Sequence, residues 1–312
     1  MTAYDVIGDV HGHAGVLRGL LAMLGYVERA GAHRHPERQA VFVGDLIDRG
    51  PEQLATLRMV RSMVEAGSAL VVLGNHEFNA VAWATPDDGG WCRDHSAKHL
   101  HQHEDFLREV GDGSATHRNW VDWFTTIPLW LDLGGLRVVH ACWHEPSMRV
   151  LEPHLTPDRC LTDTVVRARR DTPLYDAVEV LLKGPEIALG LSGSYVDTDG
   201  FERSRARYRW WDPAATTLAR AAEIPGGAKT PAGTRFGPLP DEQLDVQSLP
   251  RYTETVPVVL GHYWRTGTPA VLTPTVACVD YSAGKGGDLV AYRWSGESVL
   301  RHDHFVAHPG RG

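Results

Sequence analysis

Five short apolar runs constrain this chain more than any other feature: YDVIG (4–8), AVFVG (40–44), ALVVLG (69–74), LRVVH (136–140) and VPVVLG (256–261). Their unbroken valine, isoleucine and leucine content predicts strands buried on both faces, as in parallel sheets. All are far too short to span a bilayer. Helical patterns separate the first three. Leu17, Leu20, Leu21 and Leu24 recur at i, i+3, i+4 and i+7, and Gly25 stands where a C-cap belongs. Pro51 is placed for the first turn of a second helix, with Leu54, Leu57 and Val60 on one face and Gly67 at its end. Strand–loop–helix units in succession imply an α/β core.

Residues 151–250 differ, being rich in Pro, Arg and Asp with few strand-like runs. We read 1–312 as a single domain with 151–250 inserted as a lid or cap, because Trp210 and Trp211 need burial that a free linker does not provide. Strand patterns return from residue 255 in VPVVLGHYW, AVLTPTVACVDY and DLVAYRW, expected to form a second sheet.

Each of the five runs ends in polar chemistry. YDVI is followed by GDVHG, bringing Asp9 and His11; AVFV by GDLIDRG, bringing Asp45, Asp48 and Arg49; ALVVL by GNHE, bringing Asn75, His76 and Glu77. LRVV ends in His140 and VPVVL in Gly261-His262. In α/β sheets ligands bind off the carboxyl ends of strands, where a rigid strand places a loop side chain accurately. Imidazole and carboxylate donors suit manganese, iron, zinc and similar ions, and the lack of CxxC spacing argues against a sulfur site. A carboxylate such as Asp45 can bridge two ions, which would clamp a phosphate and make hydroxide available near neutral pH. The chain holds seventeen histidines, so metal ligands are plentiful.

The ordered set GDVHG, GDLIDRG, GNHE, His140, GH resembles the calcineurin-like metallophosphoesterase superfamily. The DRG and the Glu after GNH resemble its phosphoprotein phosphatase branch, which includes Ser/Thr protein phosphatases and symmetrical diadenosine tetraphosphatases. The resemblance implies a four-layer αββα sandwich of two mixed β-sheets flanked by helices. It also implies two divalent ions, manganese foremost, with iron, zinc, nickel or cobalt as alternatives. Carried over residue by residue, Asp9, His11 and Asp45 hold one ion, and Asp45, Asn75, His140 and His262 the other. His76 is the implied general acid, Asp48 its carboxylate partner and Arg49 a phosphate clamp. The implied reaction is hydrolysis of phosphate monoesters by direct attack of a metal-bridging hydroxide.

This chain departs from the family pattern after His140, where Ala141-Cys142-Trp143 replaces two glycines, so Trp143 and His144 are expected in a different pocket wall. RARYRWWDP (205–213) is similar to the family's Trp-Ser-Asp-Pro region, which makes Arg207 and Arg209 candidate substrate contacts. Glu77 is expected to cap or orient its neighbours. His95, His99 and His103 share an i, i+4, i+8 spacing, read as a partly solvated helix face over the site mouth. RARR (167–170) reads as a solvated face.

Four scattered cysteines read as reduced thiols, and no signal peptide is evident, which together give a cytoplasmic expectation. A formal charge of -8 disfavours non-specific nucleic-acid binding. The expected partner is a phosphorylated substrate, a phosphoprotein or a nucleotide. We read the chain as a Ser/Thr protein phosphatase-like enzyme; a dinucleoside polyphosphate hydrolase and a phosphatase of nucleotide or RNA ends, which share these residues, are the alternatives. A phospho-ligand-binding scaffold without turnover is the non-enzymatic alternative, disfavoured by the intact Asp45, Asp48, Arg49 and His76.

Overall fold

A computed structural model describes residues 3–197, 200–247 and 249–310. The first three apolar runs form parallel strands β1 (Ala3–Ile7), β2 (Arg38–Phe42) and β3 (Ala69–Val71), with Val6 level with Val41 and Val41 with Leu70. Helix α1 (Ala14–Leu24) follows β1, and all four periodic leucines are buried on it. Gly25 closes it in the left-handed region at φ 92°. Helix α2 (Gln53–Glu65) follows β2 and starts later than Pro51 predicts. The reason is a remote cap: the Glu109 carboxylate accepts from the amides of Gln53 and Leu54, both at 2.8 Å, satisfying N–H groups that would otherwise lack partners. Helix α3 (Asn75–Ala84) follows β3 directly, and α4 (Ala97–Val110) carries Glu109.

A second five-stranded sheet is built from β4 (Trp130–Asp132), β5 (Arg137–Val139), β6 (Val258–Leu260), β7 (Val271–Thr273) and β8 (Val276–Cys278), in the order β7-β8-β6-β5-β4. Strands β5, β6 and β8 are parallel, and the two edges are antiparallel. DLVAYRW does not join this sheet as expected. It forms β9 (Leu289–Trp294), antiparallel to β1 in the first sheet, with β10 (Phe305–His308) outside it. The register sets Arg293 opposite Asp5, whose buried carboxylate accepts from Arg293 Nε at 3.0 Å and Arg38 Nε at 2.9 Å. A buried carboxylate needs such partners; β2 supplies Arg38 and the β9 pairing supplies Arg293.

The sheets face one another across an apolar layer. Val6, Val41, Val43, Val72 and Tyr292 come from the first side; Val138, Val259, Ala277 and Val279 come from the second. Burying each such side chain stabilises the fold by about 1.5–3 kcal/mol. Helix α1 packs on β9 and β10, and α2 on β3. The protein is thus two mixed sheets flanked by helices.

The chain divides into two compact units: residues up to Lys183 together with those from Thr255 onward, and Gly184–Glu254. The second unit has a small antiparallel sheet of Glu186–Ala188, Arg205–Tyr208 and Ala222–Glu223. Trp210 and Trp211 are buried, in edge-to-face contact at 5.8 Å. The four cysteines are free thiols. Among the described residues, no helix is long and apolar enough to cross a membrane.

Candidate metal centre

The carboxyl ends of β1, β2 and β3 send out the three motif loops, and those of β5 and β6 deliver His140 and His262. Local backbone conformation does much of the aiming. His11, Asp45, Asp48, Arg49 and His262 all have positive φ, between 46° and 71°. Such angles cost non-glycine residues energy and cluster where the surroundings over-determine a site. Two glycines allow the loops to touch. A Cβ on Gly44 would come within 2.4 Å of the Gly74 nitrogen, and one on Gly261 within 2.1 Å of Asp9 Oδ1.

The result is two groups of donor atoms that share Asp45: His11, Asp45 and His76, and Asp45, His140 and His262. Asp45 Oδ2 stands 3.8 Å from His11 Nε2, 3.9 Å from His76 Nε2 and 3.4 Å from His140 Nε2. Asn75 Oδ1 is 3.0 Å from His140 Nε2 and 2.8 Å from His262 Nδ1. Backbone carbonyls orient two of the rings: His11 Nδ1 donates to Ile47 at 2.8 Å and His140 Nδ1 to Val43 at 2.7 Å, turning both Nε2 atoms inward. Asp9 lies beside His262, accepting from its amide at 3.1 Å through Oδ2, while its buried Oδ1 has no hydrogen-bond partner among the described residues.

Asp9, Asp45, Asp48, Glu77 and Asp280 are all buried in this region. Burial, with Asp280 and Asp45 nearby, pushes the Asp9 carboxyl well above its usual range. Burial also raises Glu77, helped by Asp45, to about 7. Burial opposes ionisation of Asp45 too, but His140, His76 and His11 outweigh it and hold that carboxyl low. In return His140, despite its burial, is raised by Asp45. Burial and the neighbouring His76 push His11 down to about 3, so its ring is neutral at physiological pH. Crowded buried carboxylates, an orphaned carboxylate oxygen and inward imidazole nitrogens form a donor set that fits two divalent ions, whose binding would displace the shared protons.

Next to the shared carboxylate, His76 Nδ1 lies 2.5 Å from Asp48 Oδ2, and the His76 amide donates to Asp45 Oδ1 at 3.0 Å. Burial disfavours the charged His76 ring, yet Asp45 and Asp48 outweigh that and raise it above its ordinary value. The His76 and His11 rings meet edge to face at 4.9 Å. Arg49 carries a buried Nε with no hydrogen-bond partner among the described residues, and its guanidinium lies 4.6 Å from the centre of the Trp264 ring. Lys285 Nζ sits 3.7 Å from the same ring centre.

Glu77 orients its neighbours, as expected, and does so through both oxygens. Oε2 accepts from the amides of Asp45 and Gly74, and Oε1 from those of Leu46 and Ile47. The helix-face reading of the three histidines fails. His95 precedes α4 and is stacked on Trp83 and Trp91 at 3.6 and 4.8 Å. His99 pairs with Asp94 at 2.5 Å. His103 is buried, with Nδ1 2.9 Å from Asp48 Oδ1. A sequence signal for this existed: His103, Phe106, Leu107 and Val110 follow i, i+3, i+4, i+7, and all four are buried. Asp280 was not anticipated; it follows β8 and accepts from the Trp264 amide at 2.7 Å and the Ser282 amide at 2.9 Å. Trp143 is buried and His144 precedes the helix Glu145–Leu151. Arg207 and Arg209 belong to the second unit. The Arg207 backbone stands opposite Glu186 and Glu223 in the sheet there, and Arg209 donates to the Arg220 carbonyl.

The family model for calcineurin-like phosphoesterases matches residues 4–225. The chain is 28% identical over 316 aligned residues to a symmetrical bis(5'-nucleosyl)-tetraphosphatase of Janthinobacterium sp. (strain Marseille), covering 96% of each. It is 47% identical over 74 residues to the asymmetrical bis(5'-nucleosyl)-tetraphosphatase PrpE of Halalkalibacterium halodurans. That match takes in 23% of this chain and only 30% of the relative's length. Among solved structures, a protein serine/threonine phosphatase from Saccharomyces cerevisiae aligns with a TM-score of 0.49 and 14% identity, covering 100% of this chain and 80% of that one.

Proposed function

The chain belongs to the calcineurin-like phosphoesterase family, and from that premise we propose that it is a metal-dependent phosphoester hydrolase using water as the nucleophile. The observation that carries this reading is the pair of donor groups joined at Asp45, the first of which includes His76. Asp9, His11 and Asp45 would hold one ion, and Asp45, Asn75, His140 and His262 the other. Two divalent ions, when bound, would polarise phosphoryl oxygens and lower the pKa of a water.

The remaining work falls to side chains. Arg49 offers a planar, doubly donating group to phosphoryl oxygens, and its unpartnered Nε supports that role. Trp264 packs flat hydrocarbon beneath it, and Lys285 adds a second positive charge at the same ring. His76, with Nδ1 held by Asp48, keeps Nε2 available to give a proton to the leaving oxygen. Asp45 and Asp48 favour the protonated ring that such a donor requires.

The test is turnover of p-nitrophenyl phosphate after chelation and add-back of single divalent ions, with Mn2+ expected to give the highest rate. No turnover with any ion would sink the reading. For the substrate, a dinucleoside polyphosphate is supported by the full-length similarity to a symmetrical tetraphosphatase and by the paired cations at Trp264. A phosphoprotein is the alternative drawn from the motif spelling. Comparing kcat/KM for diadenosine tetraphosphate, a phosphopeptide and nucleoside monophosphates separates them.

A further inference from the structure

We propose that His103 is a positioning residue that aims the His76 imidazole by fixing the carboxylate between them. The proposal rests on the reading of His76 as the proton donor. Asp48 has one oxygen for each ring: Oδ2 lies 2.5 Å from His76 Nδ1, and Oδ1 lies 2.9 Å from His103 Nδ1. Without a partner on Oδ1 the carboxylate could turn about its last bond and swing His76 with it. His103 removes that freedom. Both rings must then carry their proton on Nδ1, which leaves the His76 Nε2 side facing Asp45.

The anchorage behind this contact is thorough. His103 is buried between the rings of Trp83, at 5.8 Å, and Phe106, at 5.1 Å. The same helix, α4, supplies the Glu109 carboxylate that caps α2 at Gln53 and Leu54. Gln53 in turn accepts from the Asp48 amide at 2.8 Å and donates to the Gly50 carbonyl at 2.6 Å. Helix α4 therefore grips the motif loop at two points: the Asp48 carboxylate directly, and the Asp48 backbone through Gln53. Asp48 has φ 69°, so this loop needs outside support to keep its shape. The buried Nε2 of His103 makes no hydrogen bond among the described residues, so Nδ1 is the ring's working contact.

Leaving-group dependence distinguishes aiming from bulk. p-Nitrophenol is acidic enough to leave unprotonated, whereas an alkyl alcohol requires the proton that His76 supplies. Replacing His103 by Ala should lower kcat on an alkyl phosphate by roughly 10–100-fold, part of the usual range for general acid catalysis. On p-nitrophenyl phosphate the loss should stay within about threefold, with KM and metal content unchanged, because no bond to that substrate depends on the donor. His103→Asn keeps an N–H near the Nδ1 position and should restore most of the alkyl phosphate activity.

In the metal-free protein, a downfield imidazole N–H proton resonance should vanish in His76→Asn, shift in His103→Ala and return in His103→Asn. Equal loss on both substrates, or an Asn variant no better than the Ala variant, overturns the proposal while leaving His76 as donor. If His76→Asn itself hits both substrates equally, the reading of His76 falls first and His103 with it.

Discussion

Two trios of histidines in this protein look alike on paper and behave oppositely. His11, His140 and His262 are separated by more than a hundred residues at each step, yet all converge on Asp45 or Asn75. His95, His99 and His103 are evenly spaced within nine residues, yet each finds a different partner: a tryptophan sandwich, Asp94 and Asp48. The difference lies in what sets direction. Parallel strands share an edge, so side chains just past their carboxyl ends meet whatever their distance in sequence. A helix spreads its residues around an axis, and the caps and packing at its ends decide which of them share a face. Strand-end histidines thus converge, while regularly spaced ones make separate contacts.

Substitution at the shared carboxylate strains this contrast most. Asp45→Ala removes the atom common to both donor groups, so kcat/KM should fall by at least roughly a thousandfold, with metal content measured by elemental analysis falling as well. Full metal content in an inactive Asp45→Ala protein would mean the two groups do not depend on each other. His76→Asn should reduce kcat by about 10²–10⁴-fold on substrates with poor leaving groups and leave metal content intact. Metal loss in that variant would move His76 into the ligand set beside His11, where its Nε2 also points at Asp45.

The strand ends were readable in sequence because glycine followed by a polar residue after an apolar run reports both where a strand stops and what it presents. All five expected strands formed, and at their ends His11, Asp45 and His76 form one cluster of donor atoms and Asp45, His140 and His262 another. Pairing was not readable. DLVAYRW resembles any buried strand until Arg293 is set against Asp5, and that match is 288 residues apart in sequence. The same limit hid the partner of Asp48. Nothing near residue 48 names His103, although the apolar neighbours of His103 do place it on the inner stripe of α4. The N-terminus of α2 was misplaced for a related reason, since Glu109 rather than a local cap satisfies its first amides.

A smaller effect should appear in stability. In the metal-free protein Glu77 sits near 7, while His76 and His140 are raised above the ordinary histidine value and Asp9 above the ordinary carboxylate value. All four hold protons in the folded state that the unfolded chain would release sooner. Stability therefore falls as pH rises through these values. His11, Asp45 and Asp48 act in the opposite sense, as do His33, His117 and His144, which burial holds below the ordinary histidine value; the histidine contributions are centred near pH 6.5 and are complete only about one unit above it. Above about pH 7.5 only the falling slope remains. A tenfold change in proton affinity is worth about 1.4 kcal/mol, so Tm of the chelated protein should drop by roughly 3 °C from pH 7.5 to 8.5. Added Mn2+ should flatten the slope, because bound cations replace the protons. A chelated protein whose Tm is level or rises above about pH 7.5 would show that the strand-end cluster does not hold shared protons.

The smallest expected effects belong to His95 and His99, the first two of the evenly spaced trio. His99 makes an exposed pair with Asp94, and exposed pairs contribute about 0–1 kcal/mol. His95 lies between two indoles, a stacking contact worth about 0.5–1.5 kcal/mol. His99→Ala should accordingly leave kcat, KM and metal content within about twofold of the parent. His95→Ala should lower Tm by a few degrees with turnover of p-nitrophenyl phosphate unchanged. Measured together, the two variants ask whether even spacing carries any function of its own. Loss of a metal equivalent in either, or a tenfold fall in kcat, would make the evenly spaced trio a site after all. The contrast with the strand ends would then be one of degree.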